Sequence, residues 1–137
     1  QKNLPVDVAI FSAAVADFKV TKKNDVKIKK RDDFTIKLEK NIDILNYVSN
    51  HNSMRPKLVI GFAAETNNLE NNAIEKLKNK NCDMIIANDV SNKSIGFDSD
   101  FNEVTIFYKN NKKEKLFEKN KSLISEEIVE RVNNQLN

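Results

Sequence analysis

Glycine is nearly absent from this 137-residue sequence, with Gly61 and Gly96 the two present. That scarcity excludes a GxGxxG or Walker phosphate loop, since both need several glycines at fixed spacing for backbone to approach phosphate. A dinucleotide oxidoreductase is accordingly disfavoured. Cys82 is the single cysteine, which rules out an intramolecular disulfide and a cysteine-based metal cluster and makes a reducing cytoplasm the expected compartment. The one histidine, His51, lies in the polar stretch SNHNS and reads as an exposed loop residue. There is thus no His/Cys zinc constellation and no Ser/His/Asp set with a nucleophile elbow. No apolar run approaches the roughly 18 residues that cross a bilayer, so no membrane role is expected. Charge of one sign is also in short supply: 23 basic against 20 acidic side chains leave +3, too little to imply a nucleic-acid partner.

The chain starts at Gln1 rather than Met without a signal-peptide pattern, and a strand-like run follows at once. An amino end cut from a longer polypeptide is the expectation. With 39% hydrophobic and 31% charged residues, the composition is that of a soluble protein, and the length suits one compact domain over residues 1–137.

Apolar patterning predicts alternating strands and helices. Val6 to Ser12 and Leu58 to Phe62 are nearly continuous apolar runs, as in parallel strands buried on both faces, and the first is expected to be central. Lys19 to Asp33 reads as a charged flap, and Phe34 to Leu38 as a half-exposed strand. Asp43 to Val48 reads as a short helix. Asn67 with Glu70 is expected to open a helix from Leu69 to Lys80 in capping-box fashion, with Leu69, Ala73 and Leu77 as its apolar stripe. Met84 to Ala87 is the next strand. Val104 to Tyr108 and Glu114 to Phe117 form an antiparallel pair, and Ser122 to Leu136 a final helix facing inward through Leu123, Ile124, Ile128 and Val132. The predicted fold class is α/β: an open, mainly parallel Rossmann-like sheet flanked by helices, with a C-terminal antiparallel strand pair and a final helix.

In such sheets ligands bind beyond the carboxyl ends of the strands. Three segments fall there: AAVAD from Ala13, GFAAET from Gly61 and ANDVS from Ala87. Ala13, Ala14 and Ala16 allow close approach to backbone, or close helix packing. Asp17 is a strand-end acid suited to ribose hydroxyls or a magnesium ion. Lys22, Lys23, Lys27, Lys29, Lys30 and Arg31 form the one dense basic cluster, an anion site or a solvated loop. Lys76 and Lys80, at i and i+4, can reach one patch while Lys78 points elsewhere. Phe62 reads as core, Cys82 as packing, and Asn88 with Asp89 as a side-chain-supported turn.

SAAVADF (Ser12–Phe18), KIKK (Lys27–Lys30), KNIDIL (Lys40–Leu45), GFAAET and ANDVS, in this order and spacing, resemble the synthetase domain of the bacterial bifunctional coenzyme A biosynthesis flavoprotein, phosphopantothenoylcysteine decarboxylase/synthetase. The resemblance covers nearly the whole chain. It implies a CTP-dependent carboxylate–amine ligase, phosphopantothenate–cysteine ligase, that activates the 4′-phosphopantothenate carboxylate as an acyl-cytidylate and joins it to cysteine. It further implies CTP binding by Asp17, Lys27, Ile42, Asp43, Ile44, Leu45, Phe62, Lys76 and Lys80, with Lys27 the catalytic flap lysine that meets the phosphates. Ala14, Asn88 and Asp89 are possible supporting residues. Mg²⁺ would accompany CTP, its protein ligands unknown, and FMN belongs only to a decarboxylase domain absent from this chain. A homodimer is implied as well. Ile42 stands where that family usually has proline, and the family's amino-terminal portion, with its glycine-containing loop and an asparagine used for the acyl intermediate, has no counterpart before Gln1. A basic polyanion- or RNA-interaction module and an inactive nucleotide-binding fragment are the alternatives.

Overall fold

Apolar residues on both faces make the LVIGFAAE and MIIAND segments the centre of the molecule. The computed structural model describes residues 3–27, 29, 35–91 and 99–137. Its main sheet has five strands in the order β1-β4-β5-β6-β7: β1 (Val8–Phe11), β4 (Leu58–Glu65), β5 (Met84–Asp89), β6 (Phe101–Tyr108) and β7 (Lys113–Asn120). β1, β4 and β5 run parallel, whereas β6 and β7 add antiparallel. A separate two-stranded antiparallel sheet pairs β2 (Phe18–Val20) with β3 (Leu38–Lys40). The α/β class is as the sequence indicates, with a parallel centre and an antiparallel flank.

The crossovers carry α1 (Ile44–Ser49) and α2 (Leu69–Asn79), both on one face. There Leu45, Ala73 and Leu77 pack on Val59, Ala63, Ile85, Ala87 and Phe107. Consecutive right-handed crossovers stepping in one direction put both helices on the same side. The opposite face is covered by α3 (Lys121–Leu136), whose Ile124, Ile128 and Val132 sit on Ile60, Met84, Ile86, Ile106 and Leu116. Each of those three side chains contributes about 1.5–3 kcal/mol by leaving water.

Several expectations change. Val6 to Ser12 is not central: among the described strands β1 lies at the edge, pairs only with β4, and leaves Ile10 47% exposed. Apolarity on both faces reports what a strand can bury, not how many neighbours it has. Part of the flap begins as β2, and the following strand is Leu38–Lys40 rather than Phe34 to Leu38; Phe34, Ile28 and 30–33 lie outside the described residues. Asn67 does not cap α2. The cap is Asn68, in the left-handed region at φ 48° with no side-chain capping bond, and Glu70 instead turns outward to Lys113. Leu123 is 51% exposed, because the i, i+4, i+8 stripe of Ile124, Ile128 and Val132 leaves it about 100° off the buried line.

One polar clamp holds the amino-terminal edge of the sheet. The Arg55 guanidinium donates to the carbonyls of Ser49, Pro56 and Asn81 and to Asp83 Oδ2 at 2.8–2.9 Å. The same carboxylate oxygen accepts from the Val59 N–H at 2.8 Å. The end of α1, the end of α2 and the starts of β4 and β5 are thereby tied at one point.

Candidate functional site

Because β1, β4 and β5 are parallel neighbours, their carboxyl ends meet along one edge. β1 stops at Phe11 opposite Gly61, while β4 and β5 run on together to the Glu65–Asp89 pair. The AAVAD, GFAAET and ANDVS tips therefore share that edge. From β1 the chain enters the β2–β3 hairpin, and a single residue fixes its return. The Asn41 N–H donates to the Asp17 carbonyl at 2.7 Å, its Nδ2 to the Ala16 carbonyl at 3.1 Å, and its Oδ1 accepts from the Ile42 N–H at 3.0 Å. Asn41 thus pins Ala16 and Asp17 beside Ile42 and Asp43. Residue-type reasoning passed over it; its place just before the capping aspartate in KNIDIL was the available signal.

Asp43 is the N-cap of α1. Its Oδ1 accepts from the Asn46 N–H at 2.8 Å, and its Oδ2 accepts from Lys80 Nζ at 2.6 Å. Burial works to raise its pKa, but the Asn46 N–H, the Lys80 ammonium and the nearby Lys76 charge outweigh it and hold the carboxyl below its usual value. One turn earlier on α2, Lys76 Nζ donates to the Phe62 carbonyl at 2.7 Å, one residue past the last β1 partner on β4. Both lysines are therefore directed to the α1 side of β4, as their i, i+4 spacing requires. Two ammoniums against one carboxylate leave a local positive excess. Leu45 packs above Gly61, where an added Cβ would lie 3.1 Å from Leu45 Cδ2. Ile42 and Ile44 flank the group at 69% and 48% exposure, apolar surface open to a ligand.

The structure brings Asp17 (through its backbone), Ile42, Asp43, Ile44, Leu45, the Phe62 carbonyl, Lys76 and Lys80 together. The Phe62 ring points the other way, against the α3-side cluster, in line with its reading as core. Asn88 also alternates to the α3 side of β5, where its buried Oδ1 has no hydrogen-bond partner. The Asp89 carboxylate is engaged by the Ser91 hydroxyl and N–H at 2.6 and 2.9 Å, which lower its pKa; this is the expected turn. Ala14 is exposed beyond β1. Lys27 is exposed, and among the described residues no hydrogen bond or ion pair joins it to the α1–α2 group. It lines an open concavity of about 560 Å³ in the flap together with Lys22, Lys23 and Lys29. Among the described residues no three His, Cys, Asp or Glu gather to hold a metal ion.

The model of the DNA/pantothenate metabolism flavoprotein C-terminal domain matches residues 1–136. The chain belongs to this family. Among relatives of this flavoprotein C-terminal domain, the coenzyme A biosynthesis bifunctional protein CoaBC of Haemophilus influenzae is 44% identical over 126 residues, covering 91% of this chain and 31% of that protein. The CoaBC of Bacillus subtilis is 40% identical over 127 residues, covering 92% and 31% respectively. The chain therefore spans about a third of the length of these curated relatives. The solved C-terminal domain of CoaBC superposes with a TM-score of 0.73 at 33% identity, over 98% of this chain and 56% of that one. The DNA/pantothenate metabolism flavoprotein from Streptococcus pneumoniae has the same fold, with a TM-score of 0.67 at 23% identity over 96% of this chain and 62% of that one.

Proposed function

We propose that this chain forms the nucleotide-handling part of a phosphopantothenate–cysteine ligase in coenzyme A biosynthesis. The observation that carries the reading is the Lys76, Lys80 and Asp43 group beside the parallel strand ends, in a family whose relatives are named for coenzyme A biosynthesis. The reaction begins when a carboxylate oxygen of 4′-phosphopantothenate attacks the α-phosphorus of CTP and pyrophosphate leaves, giving an acyl-cytidylate. The cysteine amine then attacks the acyl carbon, loses a proton, and expels CMP as the amide forms. Bringing a carboxylate to a triphosphate sets like charges against each other, about 4 kcal/mol per pair of unit charges at 4 Å and an effective dielectric of 20. Cations held beforehand remove much of that repulsion, and positioning does the rest without a side-chain nucleophile.

In this reading Lys76 and Lys80 hold the nucleotide, with Asp43 orienting Lys80. Asp17 and the stretch from Ile42 to Leu45 receive the nucleoside, the Phe62 backbone lines the floor, and Lys27 is brought onto the phosphates by the flap. Ala14 and Asp89 are supporting residues at the neighbouring strand ends, Asn88 facing α3 instead, and Mg²⁺ enters with CTP. The hairpin exposes Phe18, Val20, Ile36 and Leu38 at 40–59%, which supports a second copy of the chain docking there as a homodimer in the cytoplasm. No helix among the described residues is long and apolar enough to cross a membrane.

Calorimetric titration with CTP and Mg²⁺, with ATP as competitor, tests the site. Lys80→Ala should weaken CTP binding at least about tenfold, a loss of about 1.4 kcal/mol. No binding at millimolar CTP by the unaltered chain would refute the assignment, and steep salt dependence without preference for CTP would point to a polyanion-binding module. Lys27→Ala, assayed by pyrophosphate release, should reduce turnover far more than it reduces melting temperature.

A further inference from the structure

Among the described residues a second concavity, more enclosed than that of the flap, lies away from the strand ends. It lies between α2 and the β6–β7 turn and holds about 320 Å³. Met84, the first residue of β5, pairs with Tyr108 there, so the cleft opens at the amino-terminal edge of the parallel strands, opposite the candidate nucleotide site. α2 separates the two: Lys76 and Lys80 serve one flank, while Ile74, Leu77 and Lys78 face the other. We propose that this cleft is a second binding site, for a small organic anion with a flat apolar body.

Ile74, Leu77 and Phe107 give it an apolar floor. Its volume is at the lower end of small-molecule pockets, about 300–1,000 Å³, which suits one or two fused rings rather than a nucleotide or a protein segment. The rim is cationic, with Lys78, Lys109, Lys112 and Lys113 against the single acid Glu70. Lys113 donates to both Glu70 oxygens at 2.9 Å. Lys109 bonds Asn81 Oδ1 at 3.1 Å and lies 3.9 Å from Asp83. Lys112 sits over the Tyr108 ring, 5.4 Å from its centre, and neither it nor Lys78 is in an ion pair among the described residues. The Lys113–Glu70 pair is more than half exposed on both sides, and such pairs are worth about 0–1 kcal/mol. Lys113 can therefore exchange Glu70 for an incoming anion at little cost. A neutral apolar molecule would fill the floor and leave the rim unused; a bare anion would do the reverse.

The experiment follows backbone amide shifts of the isotope-labelled chain during titration with 2-naphthoate, 2-naphthalenemethanol or inorganic phosphate. Naphthoate should give saturable shifts confined to residues 70–81 and 107–113. The neutral alcohol and phosphate should each bind at least about tenfold more weakly. Lys78→Glu combined with Lys112→Glu should weaken naphthoate by a similar factor, whereas Lys121→Glu, at the start of α3, should not. Ile74→Phe, which fills the floor without altering charge, should also abolish the shifts. Shifts scattered over the surface, equal affinity for the alcohol, or indifference to both the charge and the filling variants would overturn the proposal. None of these results depends on CTP, so failure here leaves the ligase reading standing and failure of that reading leaves this one.

Discussion

Replacing Gly61 by alanine should destabilise the protein and loosen the nucleotide site together. A Cβ at this position would lie 2.8 Å from Ile85 Cδ1, 3.1 Å from Leu45 Cδ2 and 3.7 Å from Cys82 Sγ. Ile85, the second residue of β5, is fully buried, so its end methyl has little room to swing, and overpacking of this kind costs about 1–3 kcal/mol. Alanine in a strand interior recovers about 0.5–1 kcal/mol relative to glycine, leaving an expected net loss of about 1–2 kcal/mol. Leu45 is the side chain with room to yield, and it is on α1, two residues from Asp43. Its displacement would pull the cap away from Lys80 and weaken CTP binding. Ile85→Val removes the offending methyl and alone should cost about 0.5–1.5 kcal/mol. In the double variant the new methyl occupies the vacated space, so the two losses should fall short of additivity by about 1 kcal/mol. Urea unfolding followed by circular dichroism measures all four corners of the cycle. An alanine variant as stable as the parent, or losses that add within about 0.3–0.5 kcal/mol, would refute the close-contact argument.

Arg55→Met should cost about 1–3 kcal/mol in the same urea assay, because it takes the guanidinium from three carbonyls and from the Asp83 carboxylate in a partly buried corner, leaving the Ser49 carbonyl only Asn81 Nδ2 and Asp83 Oδ2 only the Val59 N–H; a change below about 0.5 kcal/mol would show the clamp to be incidental. Cys82 is fully buried, and burial, with the Asp83 charge adding to it, pushes its thiol up to about 11; at pH 8 it should react with a disulfide reagent far more slowly in the native chain than in urea. The linked stability is fully present below the ordinary thiol value of about 8.5 and is lost as pH rises through about 11. Tyr108, raised to about 12 by burial and by Glu114, extends that loss to higher pH, and melting temperatures measured from pH 8 to 12 should fall accordingly. In acid the sign reverses. Arg131 holds Glu114 below its usual value against the effect of burial, and Asp43 is lowered too, so their contributions are present above about pH 4 and fade as pH drops through the lowered values; Glu114→Gln should flatten that acid limb.

Strands whose apolar runs fill both faces, and helices with an unbroken stripe, were legible because burial on a regular element writes its period into the residues. β4 and β5 run past their predicted ends, since Ala63, Ala64 and Asn88 carry little hydrophobic signal yet continue the ladder. β7 extends through alternating lysines and glutamates, where pairing with β6 rather than apolarity makes the strand. The edge position of β1 was hidden because neighbour identity is not a local property. At the site, the i, i+4 spacing put Lys76 and Lys80 on one patch, while Asp43 entered only through the resemblance that KNIDIL helps to carry. Asn41 and Arg55 were not foreseen, because their worth lies in backbone carbonyls that come near only after folding.

The outward side of α2 has a practical consequence. Nearly every residue of this helix is committed: Ala73 and Leu77 to the interior, Asn72 to Glu65, Glu70 to Lys113, and the remaining lysines to one flank or the other. Asn71, Glu75 and Asn79 remain, spaced four apart as one solvent-facing line, with Asn79 touching nothing beyond Glu75 in the hydrogen-bond pattern of the described residues. A fluorophore or spin label carried on that line would report from between the two clefts while obstructing neither.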